Sequence, residues 1–189
     1  PIVPIRRGDY IGDVKYRKEI SKRLRRLGLN EAKTYTLVSP DMAKLFDYEH
    51  KEKVILPNPM SIDKSVVRTS IIPSLLNVYA YNKKRKVKDI LLYEVAKTYD
   101  KSYNEESKIA GLLSGNYISN GWDFSKKVDF YVVKGIVEDL LDYMGFKNRY
   151  SFEKDSINDI HPKIGARILV DKKEVGIIGK VHPSIKKDD

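Results

Sequence analysis

Cysteine is missing from all 189 residues of the chain. This absence excludes disulfides, thiolate zinc sites, iron–sulfur clusters and a cysteine nucleophile, and it favours a reducing compartment. No stretch approaches the roughly 18 apolar residues that a membrane-spanning helix needs. The first residues, PIVPIRRGDY, hold two prolines and no apolar run, so they are not typical of a signal peptide or a transit helix. We therefore expect a soluble, cytoplasmic protein with no membrane partner.

The sequence motifs of several enzyme classes are missing as well. The phosphate-binding loop GxxxxGK[ST], a dinucleotide-binding GxGxxG after a strand and the serine-hydrolase GxSxG do not occur. The segment 176–179, GIIG, lies within a strand pattern, where close packing explains its two glycines better. His50, His161 and His182 lack the i, i+4 spacing of a metal-binding helix. We predict no catalytic, cofactor-binding or metal-binding residue in this chain.

The composition is that of a folded domain with a basic surface. Hydrophobic residues make up 41% of the chain and charged residues 33%, a balance that supports both a core and a solvated exterior. Lys and Arg outnumber Asp and Glu by 36 to 26, which gives a formal charge of +10 and a positive potential toward polyanions. Two interpretations stay open, a nucleic-acid partner or a lysine-rich surface that is merely solvated.

Periodicity and capping residues predict a mixture of helices and strands. Three main helices are expected, over residues 13–27 with Asp13 as N-cap, from Ser70 into the segment NKKRKVK, and over residues 129–145; a short helix runs from Ser39 to about Phe46. Strands are expected at 33–38, 53–56, 89–99 (as a strand pair or one bent strand) and 109–113, and in a last hairpin formed by ARILV and EVGIIGKV. Without regular βαβ spacing, this pattern favours an α+β domain on a mostly antiparallel sheet.

Glu94 is the one acid within the apolar strand segment ILLYEVA. It must either face solvent on the alternate side of the strand or, if it is buried, be paired with a basic neighbour.

Basic clusters occur in the first helix (KRLRRLG) and after the second (NKKRKVK), each near tyrosines. Arg25, Arg26, Lys84 and Arg85 are therefore candidates for contact with a phosphate backbone. The alternative is a solvated surface, and Tyr79 fits core packing better than base stacking because it lies on the apolar stripe of its helix.

NPMSIDKSVVRTSIIPSLLNVYAYN followed by DILLYEVAKTY is the most specific of six ordered blocks that run from about Ile5 to the end. These blocks resemble the bacterial phenylalanyl-tRNA synthetase beta subunit family. LRRLGLNEAKTYTLVSP, GLLSGN, Trp122 and VDFYVVKGIVEDLLDYMGF agree in order. HPKIGARILVDKKEVGIIGKVHP resembles the closing hairpin of the family but has Lys163 and Ile164 where the family usually has small or polar residues.

The resemblance implies a non-catalytic module with the fold of the class II aminoacyl-tRNA synthetases, an antiparallel sheet flanked by helices. Residues 1–12 would be a linker from a preceding domain, and residues 13–189 the module, truncated at its C-terminal end. A working class II site holds ATP phosphate with arginines beside the strand glutamate and after a glycine-rich strand. The segments LLYEV around Glu94 and GKVH at 179–182 contain no arginine.

The resemblance also implies partners. The module would pack against the catalytic alpha subunit in an α2β2 enzyme that charges tRNA with phenylalanine, with ATP and magnesium bound elsewhere in the intact heterotetramer and none in this fragment. The apolar helix faces supply the predicted subunit interface, namely Leu75, Leu76, Tyr79, Ile136 and Leu140. The alternative function is an independent RNA-binding module that uses the basic helix surfaces.

Overall fold

The computed structural model describes residues 8, 10–120 and 124–185. Most of the predicted linker, Trp122 and the last four residues lie outside this part of the chain. The helices are α1 (Gly12–Arg26), α2 (Pro40–Lys44), α3 (Ile72–Lys84) and α4 (Phe130–Tyr143). Across the described ranges, no helix has the length and apolar character needed to cross a bilayer.

The central sheet has the strand order β1-β4-β5. Its strands are β1 (Asn30–Glu31), β4 (Ile90–Tyr99) and β5 (Glu105–Ser114). β4 and β5 form an antiparallel hairpin, whereas β1 runs parallel to β4. The segment predicted as a strand pair or one bent strand is therefore one continuous strand.

Helices cover both faces of the central sheet because side chains alternate along β4. Tyr93 is fully buried and packs in one cluster with Ile20 of α1 and Ile136 of α4. Leu92, which points the other way, packs with Leu75 of α3. Helices α1 and α4 thus lie on one face of the sheet and α3 on the other.

A second sheet packs on the far side of α4. It has the order β10-β9-β8, with β8 at Tyr150–Lys154, β9 at Ile160–Val170 and β10 at Lys173–Val181. Val133 and Val137 of α4 pack against the buried Ile168 and Ile178. β9 and β10 meet in a two-residue turn, Asp171 and Lys172, both with positive φ, as a tight hairpin requires. The predicted last hairpin is confirmed.

Two short strand pairs complete the described structure. β2 (Leu37–Val38) pairs with β3 (Val66–Val67), and β6 (Asn116–Asn120) pairs with β7 (Phe124–Lys127). Short 3-10 turns lie at Ile62–Lys64 and Pro183–Ile185.

Several predicted boundaries are wrong. α1 begins at Gly12 with Ile11 as its N-cap, so Asp13 lies in the first turn, where its charge complements the helix dipole. The segment 53–56 forms only a bridge between Ile55 and Val66, since Pro57 stops the ladder. Helix α2 ends at Lys44, two residues before the predicted end at Phe46. The segment 33–38 is a strand only at its last two residues.

Gly179 is required by close packing between β9 and β10. A Cβ at this position would lie 2.4 Å from Ile160 Cγ2 and 2.7 Å from the carbonyl oxygen of Ile164. We expect Gly179→Ala to lower the free energy of unfolding by about 1–3 kcal/mol, measured by urea denaturation. The matched control is Gly176→Ala, because its Cβ would meet Ile168 at an ordinary 3.8 Å. Equal losses in the two variants would contradict this explanation.

Candidate functional site

Glu94 is buried on the α3 face of the central sheet and is fully bonded. Its side chain is 3% exposed, and so is that of Arg68, which donates from Nη2 to Oε1 over 2.9 Å. Thr34 supplies two further hydrogen bonds, from its backbone N–H to Oε1 (3.2 Å) and from its hydroxyl to Oε2 (2.7 Å). Of the two alternatives drawn from the sequence, pairing with a basic neighbour is confirmed.

The chain positions this network from three segments that are far apart in sequence. Arg68 directly follows β3, and its backbone N–H donates to the carbonyl of Thr36. Thr34 lies just before β2 and also accepts a hydrogen bond from Arg68 Nη1 at 2.6 Å. Because the amide and hydroxyl of Thr34 are directed to Glu94, this residue does not join a ladder. This explains why most of the predicted strand 33–38 is absent.

The geometry leaves the Arg68 guanidinium unable to serve as a phosphate ligand. Its two terminal nitrogens are held by Glu94 and Thr34, and the void beside it, lined in part by Met42 and Pro73, is too small for a water molecule. Its Nε is buried with no hydrogen-bond partner among the described residues. A buried ion pair of this kind holds the segments together rather than binding a ligand from solvent.

The β4–β5 hairpin offers no free cation on its own strands. It contains no arginine from Ile90 to Ser114, and each of its lysines is paired with an acid: Lys97 with Glu105, Lys101 with Glu52, and Lys108 with Glu49 and Glu106. A hydrogen bond from Lys51 is the main cause of the lowered pKa of Glu106. Burial acts to raise the pKa of Glu49, but hydrogen bonds from Lys108 and Lys51 lower it on balance.

The turn of this hairpin is organised by the Asp100 carboxylate. The Asp100 carboxylate accepts hydrogen bonds from the backbone N–H groups of Ser102 (2.9 Å) and Asn104 (3.1 Å). The side-chain amide of Asn104 donates a third bond and is the largest cause of the lowered pKa of Asp100.

Acid should destabilise the fold through the carboxylates of Glu49 and Glu106. Their pKa values are lowered in the folded state, so their contribution is present above the unfolded pKa and is lost as pH falls through the folded value. We expect Tm to fall as pH drops from about 5 to about 3. The variant Glu49→Gln/Glu106→Gln should lower Tm by a few degrees at neutral pH and converge with the parent chain in acid. Glu153→Gln, an exposed control, should match the parent at neutral pH. A gap between the double variant and the parent chain that stays constant with pH would contradict this prediction.

A wider cleft of about 410 Å³ opens elsewhere on the surface. It is lined by polar side chains, namely Lys44, Asp47, His50, Lys53, Asn158 and Asp159. Asp47 is paired with Lys53, and the Asp159 carboxylate accepts a 2.6 Å hydrogen bond from the backbone of Phe46. Nowhere in the described ranges do three or more His, Asp or Glu side chains form a group that could hold a metal ion.

The four predicted phosphate-contact residues do not form one surface. Arg25 lies 3.4 Å from Glu31, and both Arg25 and Arg26 are exposed. Lys84 is exposed, and Arg85 stacks on the Tyr81 ring at 3.4 Å from its centroid. Since α1 and α3 pack on opposite faces of the central sheet, the two clusters are separated by the sheet.

The structure places most of the predicted interface residues inside the chain. Leu75 has no exposed surface, and Ile136 and Leu140 are 7% and 8% exposed. Leu76 and Tyr79 are half-buried. While this packing is retained, a partner could reach only Leu76 and Tyr79. A role of this face of α3 in a subunit interface therefore stays a prediction.

Sequence reasoning missed Arg68 and Thr34. The signal for a partner was present, because an acid in a buried strand requires a compensating cation. The identity of that cation depends on tertiary structure, since Arg68 lies 26 residues before Glu94.

The architecture, helices on both faces of a largely antiparallel central sheet, is that of the class II tRNA synthetases. A solved structure of a pyrrolysyl-tRNA synthetase from Desulfitobacterium hafniense superposes with a TM-score of 0.63 at 12% identity, covering 86% of this chain and 54% of that chain. A second structure of this enzyme from the same organism gives 0.62, again at 12% identity, with 86% and 56% covered. This chain therefore has the class II fold.

The family follows from sequence. The model of the phenylalanyl tRNA synthetase beta chain CLM domain matches residues 1–188, and the chain belongs to this family. Phenylalanine–tRNA ligase beta subunits from Geobacillus kaustophilus and Bacillus subtilis are 37% and 35% identical over 178 residues, 91% of this chain. The subunit from Shouchella clausii is 35% identical over 99% of it. The chain spans only 22–24% of the length of these relatives.

Proposed function

We propose that this module is a non-catalytic scaffold within the beta subunit of a phenylalanine–tRNA ligase. It supports assembly with the catalytic alpha subunit in a cytoplasmic α2β2 enzyme that uses ATP and magnesium to charge tRNA with phenylalanine. The single observation that carries the proposal is the Arg68–Glu94–Thr34 network, in which the buried Arg68 is bound to Glu94, a carboxylate of the protein's own central sheet.

The electrostatics of the hairpin agree with this role. Adenylate formation requires cations that converge on the charge developing at the reacting phosphate. Here each lysine of the β4–β5 hairpin is paired with an acid of the hairpin or of a neighbouring segment. Among the described residues, no group of three or more His, Asp or Glu side chains could hold a metal ion. We infer that the described part of the module keeps the fold of the class II synthetases without groups placed for the chemistry.

An ATP–pyrophosphate exchange assay tests the absence of catalysis. The chain alone should give no exchange with phenylalanine, and the heterotetramer reconstituted with full-length beta subunit is the positive control. Exchange by the chain alone would refute the scaffold role.

Sedimentation with purified alpha subunit tests the assembly role. We expect the chain to co-sediment with alpha. Tyr79→Ala should weaken the complex, and Tyr81→Ala, an exposed tyrosine on the same helix, is the matched control. A monodisperse chain that does not bind alpha would count against assembly even if exchange is absent.

A further inference from the structure

The side chain of Met60 lies fully in solvent. Its exposed fraction, 105%, exceeds that of every other large apolar residue in the described ranges. Met60 lies in the loop before β3, where Pro57 and Pro59 restrict the backbone. On the other side, the Ser61 hydroxyl accepts a 3.3 Å hydrogen bond from the Asp63 N–H and caps the 3-10 turn. The loop is therefore held on both sides of Met60.

The other two methionines of the chain are less accessible. Met42 of α2 is 9% exposed and packs in one cluster with Val38 and Val66. Its sulfur also accepts a 2.9 Å hydrogen bond from the side-chain amide of Asn77. Met144, the C-cap of α4, is 38% exposed. The three thioethers thus form a graded series of accessibility.

Thioethers are the only sulfur groups of the chain, because it has no cysteine. Hydrogen peroxide oxidises methionine to its sulfoxide. The sulfur attacks one peroxide oxygen, so that an S–O bond forms and the O–O bond breaks. The second oxygen takes the proton of the transferred hydroxyl group and leaves as water, and the peroxide gains the two electrons that the sulfur loses. With no thiol in the chain to compete, we expect the most accessible thioether to react first.

We propose that Met60 is a site of reversible oxidation by hydrogen peroxide, at which the fold tolerates the sulfoxide. Within the described part of the chain, the Met60 side chain belongs to no hydrogen bond, ion pair or core cluster, so a polar sulfoxide disrupts no packing there. At Met42 the same change would place a polar oxygen inside an apolar cluster.

The sulfoxide is removed by methionine sulfoxide reductases. Two thiols supply the two electrons and become a disulfide, and the oxygen leaves as water. The proposal does not rest on the scaffold role, because it requires neither the alpha subunit nor an inactive site.

Oxidation of Met60 changes the polarity of an exposed apolar loop. Ile55 and Ile62 of the same loop are 69% and 74% exposed. A sulfoxide makes the most exposed member of this group polar and chiral. The modification is thus a reversible change of surface polarity that leaves the core unaltered.

Peroxide treatment of the purified chain, followed by peptide mass spectrometry, tests the proposal. Met60 should be oxidised about tenfold or more faster than Met42, with Met144 between them. In a concentration of urea that unfolds the chain, the three rates should become similar, because the differences in accessibility are lost. A mixture of the two sulfoxide reductases, one for each epimer, should restore Met60 with dithiothreitol as the reductant.

Two variants separate the site from the rest of the chain. Met60→Leu should lose the fast phase of oxidation and keep the rate of Met144. Met42→Leu/Met144→Leu retains Met60 as its only thioether, and its Tm should fall by less than about 2 °C when Met60 is oxidised.

Three outcomes would overturn the proposal. The first is oxidation of Met42 or Met144 as fast as Met60 in the folded chain. The second is a larger loss of Tm in the oxidised variant that contains only Met60. The third is protection of Met60 from peroxide in the heterotetramer reconstituted from alpha subunit and full-length beta subunit. The ATP–pyrophosphate exchange and co-sedimentation experiments test the scaffold role separately.

Discussion

Replacing Arg68 with methionine is expected to lower the free energy of unfolding by about 3–5 kcal/mol. The substitution keeps most of the side-chain volume but leaves the Glu94 carboxylate, 3% exposed, without its cation. Thr34 still donates to that carboxylate, yet two neutral donors do not compensate a buried charge. Urea denaturation followed by circular dichroism measures the loss.

Two further variants identify the cause. Arg68→Met/Glu94→Leu removes both charges and should recover part of the loss, because the desolvation cost of Glu94 disappears with it. Arg167→Met removes an arginine that pairs with Asp155 and Glu174 but is 44% exposed, and its effect should stay below about 1 kcal/mol. A similar loss for Arg68→Met and Arg167→Met would show that the buried network contributes no more than a surface pair.

The unfolding free energy of Arg68→Met also tests whether the Arg68–Glu94–Thr34 network is structural or binds a ligand. An arginine kept for binding a ligand contributes little to stability, and its removal commonly leaves the fold as stable or more so. A structural arginine behaves in the opposite way. A large loss of stability in Arg68→Met, together with no ATP–pyrophosphate exchange by the parent chain, would support the scaffold role from two independent directions.

The sequence predicted those elements whose ends are set by local interactions. Asp129 accepts a hydrogen bond from the Val132 N–H, and Ser39 does the same for Met42, as N-caps do. Gly28 and Gly145 adopt positive φ after α1 and α4. The α+β class follows from such patterns and the class II synthetase fold from the resemblance, and the structure confirms both.

Tertiary contacts decided what sequence could not predict. The segment 33–38 has the alternation of a strand, but Thr34 bonds to a carboxylate 60 residues away and leaves the ladder. For Glu94, burial in an apolar strand predicted the need for a partner but not which one. The apolar stripe of α3 was correctly predicted, yet periodicity cannot distinguish a stripe that faces the chain's own sheet from one that awaits another subunit.

Leu75 allows these two interpretations of α3 to be separated. It has no exposed surface and packs with Ile71 and Leu112 against the central sheet. We expect Leu75→Ala to lower the free energy of unfolding of the isolated chain by about 2–5 kcal/mol, because the cavity forms inside this chain. The loss should appear in urea denaturation without any partner.

The control for this variant is Ile62→Ala, which removes a comparable apolar side chain that is 74% exposed. Ile62→Ala should change the free energy of unfolding by less than about 0.5 kcal/mol. If Leu75 served mainly to contact another subunit, Leu75→Ala would instead leave the isolated chain nearly as stable as Ile62→Ala does and would weaken only the complex with alpha. The face of α3 that sequence predicted as an interface would then be available to a partner, and its packing against Leu92 and Leu112 would have to open on assembly.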